Sequence, residues 1–327
     1  MPSAIRTVPL PVARDFERAR AVIREHLTPT PLIVSNANGR EVSLKLETFQ
    51  PTGSFKVRGA IAAIAALPPG SRVVTASAGN HALGIAWASA RLGVPATVVI
   101  AETASPAKRS ALEALPVELI VHGPDYDAAE AHGLLLAADP ERRATYVSPY
   151  NDPHVIAGHA TILDEILATH RSDVPLTLVV PGGGGGLLAG IALRAEALAT
   201  ASRPIAVYGI ESEQSTGLST SVHAGAWTEV EIGQTVADGL AGNLEPGSIT
   251  VDLLRGRIAG FVTVSDERIG DAIRALARGH GIVAEGGGAA ALAAIRSGAI
   301  PEVEGDLVAI VSGRNIALPL LAAILGA

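Results

Sequence analysis

The chain has 327 residues, 25 Lys and Arg against 32 Asp and Glu, and no cysteine. The net charge of −7 argues against a nucleic-acid partner, which needs a basic face, and the missing thiols exclude disulfides and thiolate chemistry. Hydrophobic residues make up 48% and aromatics only 3%, so the core has to be assembled from Ala, Val, Leu and Ile.

Residues 13–27 read as an amphipathic helix with Phe16, Ala19, Val22, Ile23 and Leu27 on one face. A break at Pro29 and Pro31 precedes a strand at 41–46 and an apolar helix at 60–67. From Arg72 the pattern alternates: strand 73–75, helix 81–92, strand 96–100, helix 106–115, strand 118–121 and helix 125–137. It resumes with helix 156–167, strand 176–180, helix 187–198 and strand 205–209. Residues 217–250, with Gly225, Gly233, Gly239, Gly242 and Gly247, are expected to be loop. Strand 260–264, helices 266–279 and 288–297, and strand 307–311 follow. Strands alternating with helices imply an α/β fold with parallel sheets flanked by helices. No basic segment followed by an apolar run opens the chain, so no secretory leader is read there. The apolar stretch 316–327 is interrupted by Pro319 and is shorter than the ~20 residues that span a bilayer. A cytoplasmic protein without a membrane segment is expected.

Three motifs carry chemistry. The first is Ser54-Phe55-Lys56-Val57-Arg58-Gly59-Ala60, which places Lys56 after the Pro51-Thr52-Gly53 turn and at the head of an apolar helix. Desolvation there lowers an amine's pKa and frees it to attack a carbonyl; a lysine with its charge in water is the other reading. The second is Ser77-Ala78-Gly79-Asn80-His81, opening a helix whose N–H groups can hold a carboxylate, although Ser77 also suits a plain helix cap. The third is the glycine run Gly182 to Gly186 between a strand and a helix, where bare N–H groups face a phosphate. Gly184-Gly185-Gly186-Leu187-Leu188-Ala189 also fits the dinucleotide pattern G-x-G-x-x-A, with Glu211 ending the next strand. Taken alone, that run suggests a nicotinamide or flavin oxidoreductase. It explains neither of the other motifs, whereas a reactive lysine with a phosphate cradle suggests pyridoxal phosphate. His81, His154 and His159 lack zinc spacing, and no G-x-S-x-G elbow supports hydrolase chemistry.

With these residues the chain resembles the fold type II pyridoxal-phosphate enzymes (tryptophan synthase β-like), in the serine/threonine dehydratase and serine racemase branch. The matching motifs run in order. Thr30-Pro31-Leu32 and Lys45-Leu46-Glu47 precede the lysine and serine motifs. Val155-Ile156-Ala157-Gly158, the glycine run and Ala237-Asp238-Gly239 come next, then Glu285 with Gly288-Ala289, and Ser312-Gly313 with Asn315. The resemblance implies a small α/β lobe at 72–149 inserted into a larger pyridoxal-phosphate lobe formed by 1–71 and 150–327, and a homodimer. It implies that Lys56 carries the cofactor as an imine and that Phe55 lies against its ring. Asn80 would meet the phenolic oxygen, Gly183, Gly184, Gly185 and Gly186 the phosphate, and Ser312 the pyridine nitrogen, with Gly239 also at the cofactor. Ser77, Asn80 and His81 would grip the substrate carboxylate. A hydroxyl facing the ring nitrogen leaves it largely unprotonated, a weaker electron sink that favours prompt β-elimination over transamination.

The implied activity is a lyase reaction: α,β-elimination of an L-β-hydroxy-α-amino acid such as threonine or serine to a 2-oxo acid and ammonia. A dehydratase for phenylserine or hydroxyaspartate, an amino-acid racemase, and a pyridoxal-phosphate carrier without activity are the alternatives. Three departures bear on these. Ala78 stands where the racemases have a second serine, and a methyl group cannot deliver a proton. Arg314 replaces a glycine of the usual S-G-G-N, which leaves the natural substrate open. The family's divalent-cation site maps to Glu211, Ser215 and Gly217, and the last supplies no side-chain oxygen, so a strong metal site is not expected. With about 12 residues after Asn315, the appended regulatory domain of some threonine dehydratases is not expected.

Overall fold

The computed structural model describes residues 6–170, 173–302 and 304–326; residues 1–5 and Ala327, which open and close the expected larger lobe, lie outside them. In chain order the elements begin α1 (Ala13–His26), β1 (Leu32–Ala37), β2 (Arg40–Leu46), α2 (Lys56–Ala65), β3 (Arg72–Ala76), α3 (Asn80–Leu92), β4 (Ala96–Ile100) and α4 (Pro106–Glu113). They continue β5 (Glu118–Val121), α5 (Tyr126–Ala138), β6 (Ala144–Tyr146), α6 (Pro153–Thr169), β7 (Leu176–Pro181), α7 (Gly186–Leu198), β8 (Ile205–Ser212) and α8 (Gly217–Ala224). The last are α9 (Ile249–Leu254), β9 (Gly260–Val264), α10 (Asp266–His280), α11 (Gly286–Arg296), β10 (Asp306–Val311) and α12 (Leu318–Gly326).

Two sheets result, ordered β1-β2-β10-β7-β8-β9 and β5-β4-β3-β6. Every pairing is parallel except the β1–β2 hairpin. Strand periodicity builds the larger core: Leu307, Ala309 and Val311 of β10 point into a cluster with α10 and α11. Val308 and Ile310 point into the opposite one, with α6 and α7. Both faces are covered, as a parallel sheet requires. In the smaller sheet Val74, Ala76 and Val99 meet Tyr146 and Ala129 of α5, while Val98 and Ile100 meet Ala82 of α3 and Leu112 of α4. Small residues bring helices close: a methyl group at Gly158 of α6 would lie 2.5 Å from the Arg58 carbonyl oxygen of α2, and one at Gly84 of α3 would lie 3.2 Å from the Lys56 carbonyl.

Under α2 sits a buried ionic network. Arg58 is fully buried and donates to Glu47 at 2.7 and 2.8 Å and to Glu165 at 2.6 and 2.8 Å. Lys45 donates to Glu165 at 2.6 Å and to the Thr30 carbonyl at 2.8 Å, and the Thr30 hydroxyl donates to Glu47 at 2.6 Å. Two cations and two carboxylates thus close on one another, the condition under which buried charge is tolerated.

The structure departs from the sequence reading in places. Strands β1 and β6 were not expected: β1 is half of a hairpin closed by Asn38-Gly39, the strongest short hairpin signal, and β6 has only three residues. The stretch read as loop at 217–250 contains α8 and the start of α9. Their starts are fixed by side chains outside the helices or at their edge: the Ser248 hydroxyl caps α9, and Glu211 receives the first N–H groups of α8.

Candidate active site

Lys56 is the first residue of α2, and the segment just before it is pinned to the end of β10. The Phe55 N–H donates to the Ser312 carbonyl at 3.0 Å, and Ser54 bridges to Gly313. Ser312, just past β10, thereby lies against the residue before the lysine. The Lys56 ammonium donates to the Pro149 carbonyl at 2.7 Å and stands 5.0 Å from the centre of the Phe55 ring. Burial lowers its pKa to about 8, against the opposing field of Glu285, and a helix N-terminus is itself an unfavourable place for a cation. A substantial neutral fraction near pH 7–8 is what nucleophilic attack requires.

On the glycine loop, Gly183 and Gly185 have φ of 54° and 86°, a region open to glycine at no steric cost. Gly185 is the N-cap of α7. The Gly182 and Gly185 N–H groups are used by the Ile210 and Gly182 carbonyls; those of Gly183 and Gly184 have no protein acceptor among the described residues. The Gly239 carbonyl comes within 3.4 Å of where a Gly183 side chain would begin, while a methyl group at Gly184 would run into the Tyr150 ring. The loop is therefore a cradle with Tyr150 as one wall.

At the start of α3 the Gly79 N–H donates to the Ser77 hydroxyl at 3.2 Å; Gly79, not Ser77, is the N-cap. Asn80 is held from two sides: its Nδ2 donates to Glu285 Oε1 at 2.7 Å and its Oδ1 accepts from Asn315 Nδ2 at 2.6 Å. The His81 ring turns inward to the Val147 carbonyl at 3.1 Å, and burial, reinforced by Lys56, depresses its pKa to about 3. Its imidazole is thus a neutral packing group, turned away from the helix start. His159 is also buried, edge-on to Phe55 at 4.7 Å between ring centres. Ala78 is half-buried against the cluster of Ala82, Val98 and Leu112.

The residues fit pyridoxal phosphate. The cradle offers N–H groups to an anion, Lys56 offers an amine, and several buried polar atoms around them lack protein partners among the described residues, Ser54 Oγ and Asn151 Nδ2 among them. Ser312 Oγ makes only a 3.3 Å bond to the Gly287 carbonyl. Glu211 is poorly placed to serve a dinucleotide: its carboxylate is buried and both oxygens already accept from the Leu218 and Ser219 N–H groups at 3.0 and 3.2 Å. The same bonds occupy the acid of the weak cation site, whose Ser215 donates to the Leu240 carbonyl. Among the described residues no group of three or more His, Asp or Glu is placed to hold a metal ion. Arg314 turns away from the lysine and donates to the Thr48 carbonyl at 2.6 Å.

Sequence reasoning missed the Pro149 carbonyl, Tyr150 and Asn151, and gave no role to Glu285 or Asn315. Asn151 stands just before the Asp152-Pro153 start of α6, whose cap is readable in sequence; the short strand before it is not, so the loop was not seen as a strand-end site.

A family model described as pyridoxal-phosphate dependent enzyme matches residues 23–313. The L-threonine ammonia-lyase of Thermotoga maritima is 38% identical over 312 residues, 92% of this chain and 75% of that protein. The catabolic L-threonine dehydratase TdcB of Staphylococcus aureus is 38% identical over 317 residues, 93% of this chain and 89% of that protein. Among solved structures, maize serine racemase superposes with a TM-score of 0.86 at 27% identity, covering 96% of this chain and 97% of that one. The threonine deaminase of T.th. superposes with a TM-score of 0.82 at 33% identity, covering 94% of this chain and 99% of that one.

Proposed function

The chain belongs to the pyridoxal-phosphate dependent enzymes, and on that premise we propose that it is an ammonia-lyase converting L-threonine or L-serine to a 2-oxo acid and ammonia. The observation that carries this reading is the depressed Lys56 amine between a glycine phosphate cradle and a helix start suited to a carboxylate. The curated relatives above are named for this reaction on threonine.

Lys56, Phe55, Ser312 and the cradle of Gly183 to Gly186 would hold the cofactor, with Asn80, Asn151 and Tyr150 around it. When bound, pyridoxal phosphate supplies the electron sink for the α-carbon. The α3 start, with Ser77 and Asn80, holds the substrate carboxylate and turns the single α-proton of the L-amino acid toward Lys56. The Lys56 amine takes that proton as general base, and the Pro149 carbonyl keeps its nitrogen in place. The α-proton taken by Lys56 and the β-hydroxyl together leave as water, the enamine that remains is released, and water hydrolyses it to the 2-oxo acid and ammonia. The segment 72–149, bearing α3, would act as the smaller lobe over the cofactor, and a homodimer is the assembly the resemblance suggests. No helix among the described residues is long and apolar enough to cross a membrane.

The test measures 2-oxo acid release from threonine, serine, phenylserine and hydroxyaspartate, with chiral chromatography of the remaining substrate. Threonine or serine should be consumed fastest. Because Ala78 offers no proton on the face opposite Lys56, racemisation should run ~10²–10⁴-fold below elimination and appear in Ala78→Ser. D-amino acid forming as fast as 2-oxo acid in the unmodified protein would make this a racemase instead.

A further inference from the structure

Glu285 is a buried carboxyl at the site to which the steps above give no task. It is the N-cap residue of α11, yet its side chain makes no cap bond. It reaches instead to Asn80 Nδ2, and its seat is built for it: a methyl group at Gly313 would lie 2.3 Å from Glu285 Oε1. The other end of Asn80 is fixed as well. Asn315 gives one Nδ2 hydrogen to the Thr52 carbonyl at 2.8 Å and the other to Asn80 Oδ1. That assigns the Asn80 amide, oxygen toward Asn315 and nitrogen toward Glu285. The relay joins α3 to the ends of β10 and α11, and one end of it rests on the turn that delivers Lys56.

We propose that Glu285 is a positioning residue for the Lys56 chemistry: its carboxylate locks the Asn80 amide and strengthens Lys56 as a base. When the amine takes the α-proton it becomes an ammonium, and an ionised Glu285, seated beside Ser54 at Gly313 and acting on Lys56 through space, stabilises that product. The inference rests on reading Lys56 as the cofactor-bearing lysine.

The groups around the carboxyl set when it is charged. Burial raises the Glu285 pKa to about 7; the Asn80 hydrogen bond opposes this, Asp238 adds to it and Lys108 opposes it. Asp238 and Lys108 are themselves paired at 2.9 Å. His81 and His159, which also face Lys56, are held neutral by burial, so Glu285 is the acid whose field Lys56 feels. An anion favours the ammonium form. Removing it must therefore lower the lysine pKa and weaken the base.

The test compares the apoprotein with Glu285→Gln and Glu285→Ala, following uptake of pyridoxal phosphate by its visible absorbance as a function of pH. Glutamine keeps an acceptor for Asn80 but not the charge. The half-point of uptake should fall by about one pH unit in both variants, the low end for loss of one opposite charge. In the reloaded enzymes kcat should drop roughly 10-fold in both, with KM rising only in Glu285→Ala, where Asn80 is released. Unchanged half-points in both variants would refute the inference. Absence of a visible band in the unmodified protein would refute the assignment of Lys56, and this inference with it.

Discussion

Lys45, fully buried, and Lys56, half-buried eleven positions later, have opposite fates. Lys45 lies inside the network under α2, 1% exposed, with Glu165 at 2.6 Å and the Thr30 carbonyl at 2.8 Å. Lys56 has a carbonyl at 2.7 Å and an aromatic face, and no carboxylate in contact. Burial depresses both pKa values. What separates them is where the compensating charge sits. Around Lys45 the Glu165 carboxylate is in contact and shared with Arg58, so the proton stays and the side chain is structural. Around Lys56 the nearest acid acts through space, so the proton can leave. Desolvation creates the potential for reactivity, and direct pairing removes it.

Breaking the unpaired member should have the largest effect. Lys56→Ala removes anchor and base together, so turnover should fall by ~10²–10⁴-fold or more and the visible cofactor band should vanish, with the melting temperature little changed. Retention of unmodified turnover would sink the mechanism. Breaking the paired region should do the reverse. Glu165→Ala leaves Arg58 and Lys45 short of an anion and should cost about 3–5 kcal/mol of stability, read by chemical denaturation, while the surviving folded fraction still shows the band. A loss of the band without a loss of stability would mean that the network serves the site directly. The smallest effect is expected from a chelator. The Glu211 oxygens are satisfied by the first N–H groups of α8, so melting temperature and turnover should hardly move; a large, magnesium-reversible drop would reveal a cation site that uses other ligands.

Much of this comparison was legible in the sequence, for identifiable reasons. The alternation of strands and helices is a pattern of local periodicity, so strands 96–100, 118–121 and 260–264 appear with the bounds read from it. Lys56 and the glycine loop are local motifs and were found together. The ionic network was not, because Lys45, Glu47, Arg58 and Glu165 become one cluster only when α2 packs on α6. His81 shows the limit in the other direction: its place in the motif suggested a hand on the substrate, yet the ring turns to the Val147 carbonyl. Motifs locate a backbone more securely than they aim a side chain. Glu285 was visible as a motif residue, but its role depends on Asn80, 205 positions away.

The close approaches at Gly84 and Gly158 have a mechanical consequence. A methyl group at either position would press on the backbone of α2, at Lys56 from one side and at Arg58 from the other. The first turn of α2 is therefore gripped like a post between two neighbouring helices, with main chain against main chain and no compliant side chains between. Such packing transmits load without yielding. Lys56 cannot approach or leave its target by moving its own backbone, and the reach of the amine is set by rotation about its four-carbon stem. Chemistry that requires the nitrogen first to bond a carbonyl and then to collect a proton nearby is, in this chain, the swing of a short arm on a fixed pivot.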